Sequence, residues 1–157
     1  MSGAAGNVGR SAVFVAKEKG ATVIAGVRKG QIEEARALGA DRILALDDET
    51  AVAGLELLDA IADTVNGPTA TKLLGKLKQG GVFASVLSAP TNAAEYPSIS
   101  VKTMPVKADP RVLLHMAEAV RSGKLSIPLG QRFALKDANK AHAAAEKGDA
   151  GKILLVA

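Results

Sequence analysis

Short apolar runs alternate along the chain with segments whose apolar residues recur every three or four positions. The apolar runs, rich in Val, Ile, Leu and Ala, predict strands at residues 21–27, 41–46, 58–65, 82–87, 99–106 and 152–156, with a short extended segment at 131–135. The helical spacing predicts helices at residues 10–19, 31–38, 50–58, 69–78, 111–121 and 136–146. This alternation predicts an α/β fold with a doubly wound parallel sheet and right-handed crossovers.

Glycine, proline and aspartate mark several of the predicted boundaries. Gly20 and Gly39 stand where the first two helices should end, and glycine is the preferred residue there. Asp109 followed by Pro110 predicts an N-cap and the first position of a helix. The pair at residues 80–81 is expected to close the helix at 69–78. Pro105 predicts that the strand at 99–106 lies at a sheet edge, because proline cannot donate to a neighbouring strand.

Three glycines in the first nine residues form a phosphate-binding pattern, Gly3-Ala-Ala-Gly6-Asn-Val-Gly9, directly before the first predicted helix. Gly3 would allow a tight turn, Gly6 would let a pyrophosphate approach the backbone, and Gly9 would let the first helical turn pack closely against a sheet. The amide groups and dipole at the start of the helix favour an anion. Since a lone glycine pattern is also found in ordinary turns, the prediction of a dinucleotide site depends mainly on the helix and strand that follow the pattern.

The end of the second strand of a dinucleotide-binding fold lies near the adenosine ribose, and here the sequence reads Gly26-Val27-Arg28-Lys29. An NAD site needs a carboxylate at this point, whereas a guanidinium suits the 2′-phosphate of NADP. The sequence therefore predicts NADPH as the cofactor, with NADH less favoured. The alternative is that Arg28 and Lys29 are solvated loop charges.

Residues at the carboxyl ends of other strands are further candidates, because ligands of open α/β sheets bind at that edge. Asp47 and Asp48 are expected near the adenine edge or as a cap of the following helix. Residues beyond the fourth and fifth strands are expected to contact the ribose and nicotinamide through backbone and van der Waals contacts, although they could equally end the strands. The predicted cofactor-binding residues are Gly3, Ala4, Gly6, Asn7, Val8, Gly9, Arg28, Lys29, Asp63, Thr64, Val86, Leu87 and Ser88.

Composition narrows the class of protein. The 157 residues, 48% hydrophobic and 23% charged, predict a single soluble domain over residues 1–157. A net charge of +4 is spread among acidic residues without interleaved aromatic residues, so no nucleic-acid partner is predicted. No apolar run is long enough to span a bilayer and no signal peptide is seen, so a cytoplasmic protein without a membrane partner is expected.

No catalytic or metal-ligating residue is predicted. The chain has no cysteine, and neither His115 nor His142 has a second ligand at metal-binding spacing. Both histidines are expected to be packing or surface residues, and Tyr96 alone cannot be assigned an acid role. No zinc is therefore expected.

Several ordered stretches resemble the medium-chain dehydrogenase/reductase superfamily, specifically its zinc-independent, quinone-oxidoreductase-like branch. The stretches are residues 3–9, 37–41, 59–67, 77–81, 141–142 and 151–155. The resemblance implies a Rossmann-type domain that takes part in hydride transfer from NADPH to a quinone, enone or related carbonyl compound. By position, Gly6, Asn7, Val8, Arg28 and Lys29 would match the family's phosphate-contacting residues.

In that family the Rossmann domain is the second half of a longer chain, and residues 124–157 would correspond to the segment that returns to the catalytic domain. The resemblance thus implies a truncated or split form that lacks the usual first strand and is potentially inactive alone. It leaves open a homo-oligomer or a separate catalytic-domain chain as partner. A non-catalytic NADPH-binding module that regulates or docks on a partner is the alternative. The C-terminal residues 152–157 have the composition of a first strand and could fill its slot, within the chain or from a second copy, or could pair at an edge or with a missing partner.

Overall fold

The computed structural model describes residues 1–147 and 152–157. The helices are α1 (Asn7–Glu18), α2 (Ile32–Ala35), α3 (Glu49–Ala53), α4 (Gly67–Leu74), α5 (Pro110–Arg121) and α6 (Ala138–Lys147). The strands are β1 (Ile24–Val27), β2 (Arg42–Ala45), β3 (Leu58–Asp63), β4 (Leu77–Ser85), β5 (Ser100–Thr103), β6 (Leu129–Ala134) and β7 (Lys152–Val156). One 3-10 turn precedes α2 and another follows it, so that the helix predicted at residues 31–38 is divided into three short pieces.

The strands form parallel pairs throughout the described residues. β1 pairs with β2, β4 lies between β3 and β5, and β6 pairs with β7. A helix lies between the strands of each parallel pair except β4 and β5, whose connection contains a 3-10 turn at Ala93–Glu95. The Rossmann-type α/β fold predicted from the sequence is confirmed, and β5 is an outer strand of its sheet, as Pro105 indicated.

Met1 and Ser2 provide backbone hydrogen bonds to both main sheets, in the position that a first strand would occupy. The Gly26 amide donates to the Met1 carbonyl at 2.8 Å, and the Ser2 amide donates to the Ala62 carbonyl at 2.9 Å. Beside these two residues, a cavity of about 560 Å³ lies between the start of β1 and the start of β3. The predicted absence of a full first strand is therefore visible as an incomplete sheet centre.

The prediction that residues 152–157 fill this slot is wrong. β7 instead pairs with β6, with Arg132 opposite Leu154 and Ala134 opposite Val156. α6 lies between these two strands in the chain, so the pairing is that of a local β-α-β unit. Both strands of this two-stranded sheet are edge strands, in agreement with the alternative of pairing at an edge.

The boundary between α4 and β4 also differs from the prediction. α4 ends at Leu74 rather than near residue 78, and β4 already begins at Leu77, which pairs with Leu58. Gly80, expected to end the helix, lies inside the strand with φ +77°, where the register between β3 and β4 shifts. Gly80 lies at a β-bulge, where glycine is favoured because it readily adopts the left-handed conformation. A helix C-cap favours glycine for the same reason, so the local sequence does not distinguish the two. α3 is similarly shorter than predicted and ends at Ala53.

Two apolar clusters hold the sheets and helices together. Val13, Ala25 and Val27 are buried between α1 and β1. On the other side of the slot, Leu74 packs with Phe83, and both are completely buried. Partly buried residues of β1 and β2 also pack against this second cluster, so it links the two halves of the sheet.

None of the helices within residues 1–147 and 152–157 has the length and apolar character needed to cross a membrane.

Asp41 links the start of β1 to α1 and should make stability depend on pH. Its carboxylate accepts hydrogen bonds from Lys17 Nζ at 2.8 Å and from the Val23 amide at 2.6 Å, and these two contacts lower its pKa. A carboxylate whose pKa is lowered by folding stabilises the folded state above its unfolded pKa, about 4, and this contribution is lost as pH falls through the folded value. Thermal unfolding of the wild type and Asp41→Asn should therefore differ most at neutral pH and converge in acid. Parallel curves at every pH would contradict this prediction.

Candidate functional site

The glycine loop is a compact turn supported from below by the end of β3. Gly3 has φ +69°, as its predicted role requires, and a Cβ there would overlap Thr64 Oγ1 and lie 3.0 Å from the Val65 side chain. A Cβ at Gly9 would overlap the Gly3 carbonyl oxygen. The close approach that Gly9 permits is therefore to the loop itself rather than to the sheet. Glycine at both positions is explained by packing against fixed backbone and side-chain atoms.

The loop ends at an uncapped helix N-terminus. Gly6 is the N-cap of α1, no side chain in the described residues caps it, and the first turn contains no acidic residue. Asn7 and Val8 are exposed there, and Val8 is 56% accessible. Helix amides without an intrahelical partner favour an anion. Ala4 differs from its neighbours, because its side chain is buried and its amide donates to the Gly26 carbonyl at 3.1 Å.

Arg28 and the glycine loop border the same cleft, which has a volume of about 600 Å³. Arg28 and Lys29 directly follow β1, and both are exposed. The residues that line the cleft are Ala5, Gly6, Asn7, Arg28, Gly30, Gln31, Glu34, Asp47, Pro128 and Lys152. The structure thus brings together three residues predicted as cofactor ligands, namely Gly6, Asn7 and Arg28, at one open surface.

Asp47 and Asp48 have separate roles. Asp48 caps α3, since its carboxylate accepts a hydrogen bond from the Ala51 amide at 3.0 Å, which confirms the capping prediction. Asp47 lines the cleft and accepts a hydrogen bond from the Lys29 amide at 2.7 Å. This bond holds the segment after β1 against the end of β2.

Asp63 lies beneath the loops at the carboxyl ends of the strands, where its side chain is 1% exposed. Its carboxylate accepts hydrogen bonds from Ser2 Oγ at 2.5 Å, from Ser85 Oγ at 3.0 Å, and from the Val65 and Asn66 amides at 3.2 Å each. These bonds join the glycine loop to the loops after β3 and β4. The buried carboxylate is therefore placed to hold the site together.

The other predicted residues at this edge differ in exposure: Thr64 is packed against the glycine loop, whereas residues 86–88 are exposed. Thr64 is turned toward the glycine loop, with its hydroxyl donating to the Ser2 carbonyl at 2.9 Å. Val86 and Leu87 are exposed after β4, and so is Ser88, whose hydroxyl oxygen accepts a hydrogen bond from Asn66 Nδ2 at 2.6 Å. Asn66 has φ +63°, a strained conformation for a residue other than glycine.

The residues at the site that the sequence interpretation missed include Arg10, Glu34, Pro128 and Lys152. Pro128 and Lys152 come from the C-terminal part of the chain, so no local pattern connects them to the glycine loop. Arg10 offered one usable signal, because it is a charged residue directly after Gly9 at the start of an apolar helix face.

No zinc site is formed by the described residues. No group of three or more His, Asp or Glu side chains among them could hold a metal ion, and the sequence has no cysteine. His115 Nε2 lies 2.8 Å from a Glu18 carboxylate oxygen, and His142 lies 3.4 Å from Glu146. Both histidines are exposed residues of helices, away from the cleft. The described residues thus do not offer the set of ligands that zinc requires.

The chain shares its fold with oxidoreductases of known structure. A quinone oxidoreductase from Coxiella burnetii is 27% identical, with a TM-score of 0.84 over 99% of this chain and 51% of that one. A thermostable alcohol dehydrogenase from Pyrobaculum aerophilum is 23% identical, with a TM-score of 0.80 over 99% of this chain and 49% of that one. A quinone oxidoreductase from Escherichia coli, solved in complex with NADPH, is 23% identical, with a TM-score of 0.80 over 98% of this chain and 55% of that one.

The chain spans about half the length of these solved proteins. No curated protein sequence matches it significantly. A family model described as zinc-binding dehydrogenase matches residues 38–155, which is most of the chain. The chain therefore belongs to the zinc-binding dehydrogenase family of the medium-chain dehydrogenase/reductase superfamily, and it corresponds to the C-terminal, Rossmann-type half of such proteins.

Proposed function

We propose that this chain is the NADPH-binding portion of an oxidoreductase that reduces a quinone, an enone or a related carbonyl compound. The observation that carries the proposal is the shared cleft, in which the uncapped start of α1 and the guanidinium of Arg28 border one open volume. The first is suited to a pyrophosphate and the second to an additional phosphate on the adenosine ribose. The NADPH bound to the E. coli quinone oxidoreductase supports the same assignment.

The residues around the cleft divide into three groups by their role. The amides at residues 7–9 bind the pyrophosphate, and Gly3 and Gly9 keep the loop compact enough to present them. Arg28 and Lys29 bind the 2′-phosphate. Thr64 and the exposed residues 86–88 border the ribose and nicotinamide portions of the cofactor. Bound NADPH would supply the hydride, while these residues hold its reactive ring in place.

The substrate class and the partner follow from the family rather than from the cleft. Quinone oxidoreductases are among the solved proteins with the same fold, and this chain spans about half their length. The wall that completes a substrate pocket would come from a separate catalytic-domain chain or from a second copy. Residues 124–157 would then form the segment that returns toward that domain. Burial of the nicotinamide under such a wall excludes water from hydride transfer.

Equilibrium titration with NADPH and NADH tests the cofactor assignment. Tight binding of NADPH with weaker binding of NADH is the expected result, and binding of neither would overturn the proposal. A turnover assay with a small quinone, with and without the first-half polypeptide of a relative, then distinguishes an enzyme from a cofactor-binding module. The second candidate function is a non-catalytic NADPH-binding module that regulates or docks on a partner. Binding without turnover in both assays would support it.

Arg28→Ala should weaken NADPH binding about 30- to 100-fold while changing NADH binding less than about threefold. A charge-assisted contact to a phosphate contributes about 2–3 kcal/mol, and NADH lacks the 2′-phosphate that this contact needs. Isothermal titration of both cofactors measures the difference. Arg36→Ala is the control, because Arg36 is 67% exposed and pairs with Glu33 outside the cleft. Equal losses for the two cofactors would mean that Arg28 does not recognise the 2′-phosphate.

A further inference from the structure

Arg10 is the only arginine among the buried residues of the described part of the chain, and it touches the glycine loop. Its side chain is 3% exposed. Nε donates to the Ala5 carbonyl at 2.8 Å, and the Arg10 amide donates to the Gly6 carbonyl at 2.9 Å. Because a guanidinium remains charged and is costly to bury alone, such a position needs a matching anion.

That anion is Glu34 of α2, which forms an ion pair with Arg10 Nη2. The Glu34 carboxylate is 46% exposed and borders the same cleft as Gly6 and Arg28. An unpaired carboxylate there would repel the phosphates of any dinucleotide in the cleft. Asp47, the other acidic residue of the cleft, is likewise engaged, by the Lys29 amide.

We infer that Arg10 is a positioning residue for the cofactor phosphates, an assignment that rests on the proposed dinucleotide binding. It acts in two ways. Through the Ala5 carbonyl it keeps the loop turned so that the amides after Gly6 face the cleft. Through Glu34 it neutralises the negative charge that the cleft would otherwise present to phosphate. Both effects act on the pyrophosphate, which NADPH and NADH share, whereas Arg28 acts on the 2′-phosphate alone.

Three variants separate charge neutralisation from simple loop support: Arg10→Met, Glu34→Gln and the double variant. Arg10→Met should lower the affinity for both NADPH and NADH about 10- to 100-fold at low salt, because Glu34 is left unpaired. Raised salt should reduce this loss of affinity, because it screens the repulsion between Glu34 and the phosphates. Glu34→Gln should raise the affinity for both cofactors about threefold, because it raises the net charge of the cleft by one. The double variant should recover at least about tenfold relative to Arg10→Met, since no uncompensated carboxylate remains.

Arg36→Met is the matched control, because it breaks an Arg–Glu pair of the same segment that does not border the cleft. Its affinities should equal those of the wild type. Unchanged binding by Arg10→Met, or a double variant as weak as Arg10→Met, would overturn the inference. If Arg10→Met does not fold, Glu34→Gln provides the test. Weaker binding of both cofactors by Glu34→Gln would also overturn the inference. A wild-type protein that binds neither NADPH nor NADH would instead refute the proposed function.

Discussion

Replacement of Gly9 by alanine should lower the free energy of unfolding by about 3 kcal/mol or more and remove dinucleotide binding. A Cβ at residue 9 would overlap the Gly3 carbonyl oxygen and would lie 2.7 Å from the Ala4 Cα. These are backbone atoms of a tightly packed loop, and they cannot move aside as the end of a flexible side chain would. The loop must therefore shift, and the amides at the start of α1 shift with it.

Gly30→Ala is the matched control for this substitution. Gly30 borders the same cleft, but no atom lies within 4 Å of the Cβ that alanine would add. Its free energy of unfolding should stay within about 0.5 kcal/mol of the wild type, and NADPH should still bind. Chemical denaturation and NADPH titration measure the two effects. A Gly9→Ala protein with wild-type stability would show that the loop tolerates the added atom.

Removal of the Asp63 carboxylate is expected to lower stability about as much as Gly9→Ala does. Asp63→Ala should cost about 3 kcal/mol of stability, because Ser2 Oγ, Ser85 Oγ and two loop amides lose their acceptor in a site with little access to water. The loops after β3 and β4 would lose their shared anchor. Cofactor affinity should therefore fall even under conditions in which the variant is folded.

Asp59→Ala tests whether this loss is specific to the buried carboxylate. Asp59 lies on the same strand, but its side chain is 88% exposed and its ion pair with Lys78, at 2.7 Å, is at the surface. Exposed pairs contribute about 0–1 kcal/mol, so this variant should remain close to the wild type. Urea denaturation of both variants gives the comparison. Similar losses at positions 59 and 63 would contradict the anchoring role of Asp63.

Local patterns were sufficient to predict much of the fold. Gly3 and Gly39 adopt the left-handed conformation for which glycine is preferred, and Asp48 and Asp109 cap the helices that they precede. These features depend on neighbouring residues and a few hydrogen bonds, so sequence spacing contains the required information. The same spacing was ambiguous at Gly80, because a helix end and a strand bulge both use left-handed glycine.

The candidate site was predictable only in its outline. The glycine loop was identified because it precedes a recognisable helix, and Arg28 because it follows a recognisable strand; the structure places both at one cleft. Other features of the site depend on contacts between distant segments. Pro128 and Lys152 line the cleft from the C-terminal part of the chain, and Arg10 pairs with Glu34. No periodicity or motif encodes such contacts.

By itself, the sequence determined the order of strands and helices, the glycine loop before α1 and the family to which the chain belongs, because these depend on local conformation and on motif order. Only the tertiary structure decided that β7 pairs with β6 rather than between β1 and β3, and that Asp63 faces inward as an acceptor for three loops. Only the tertiary structure paired the charge of Arg10 with Glu34. The physical reason is that parallel pairing and the burial of charge depend on all the partners available in space, which a one-dimensional pattern does not specify.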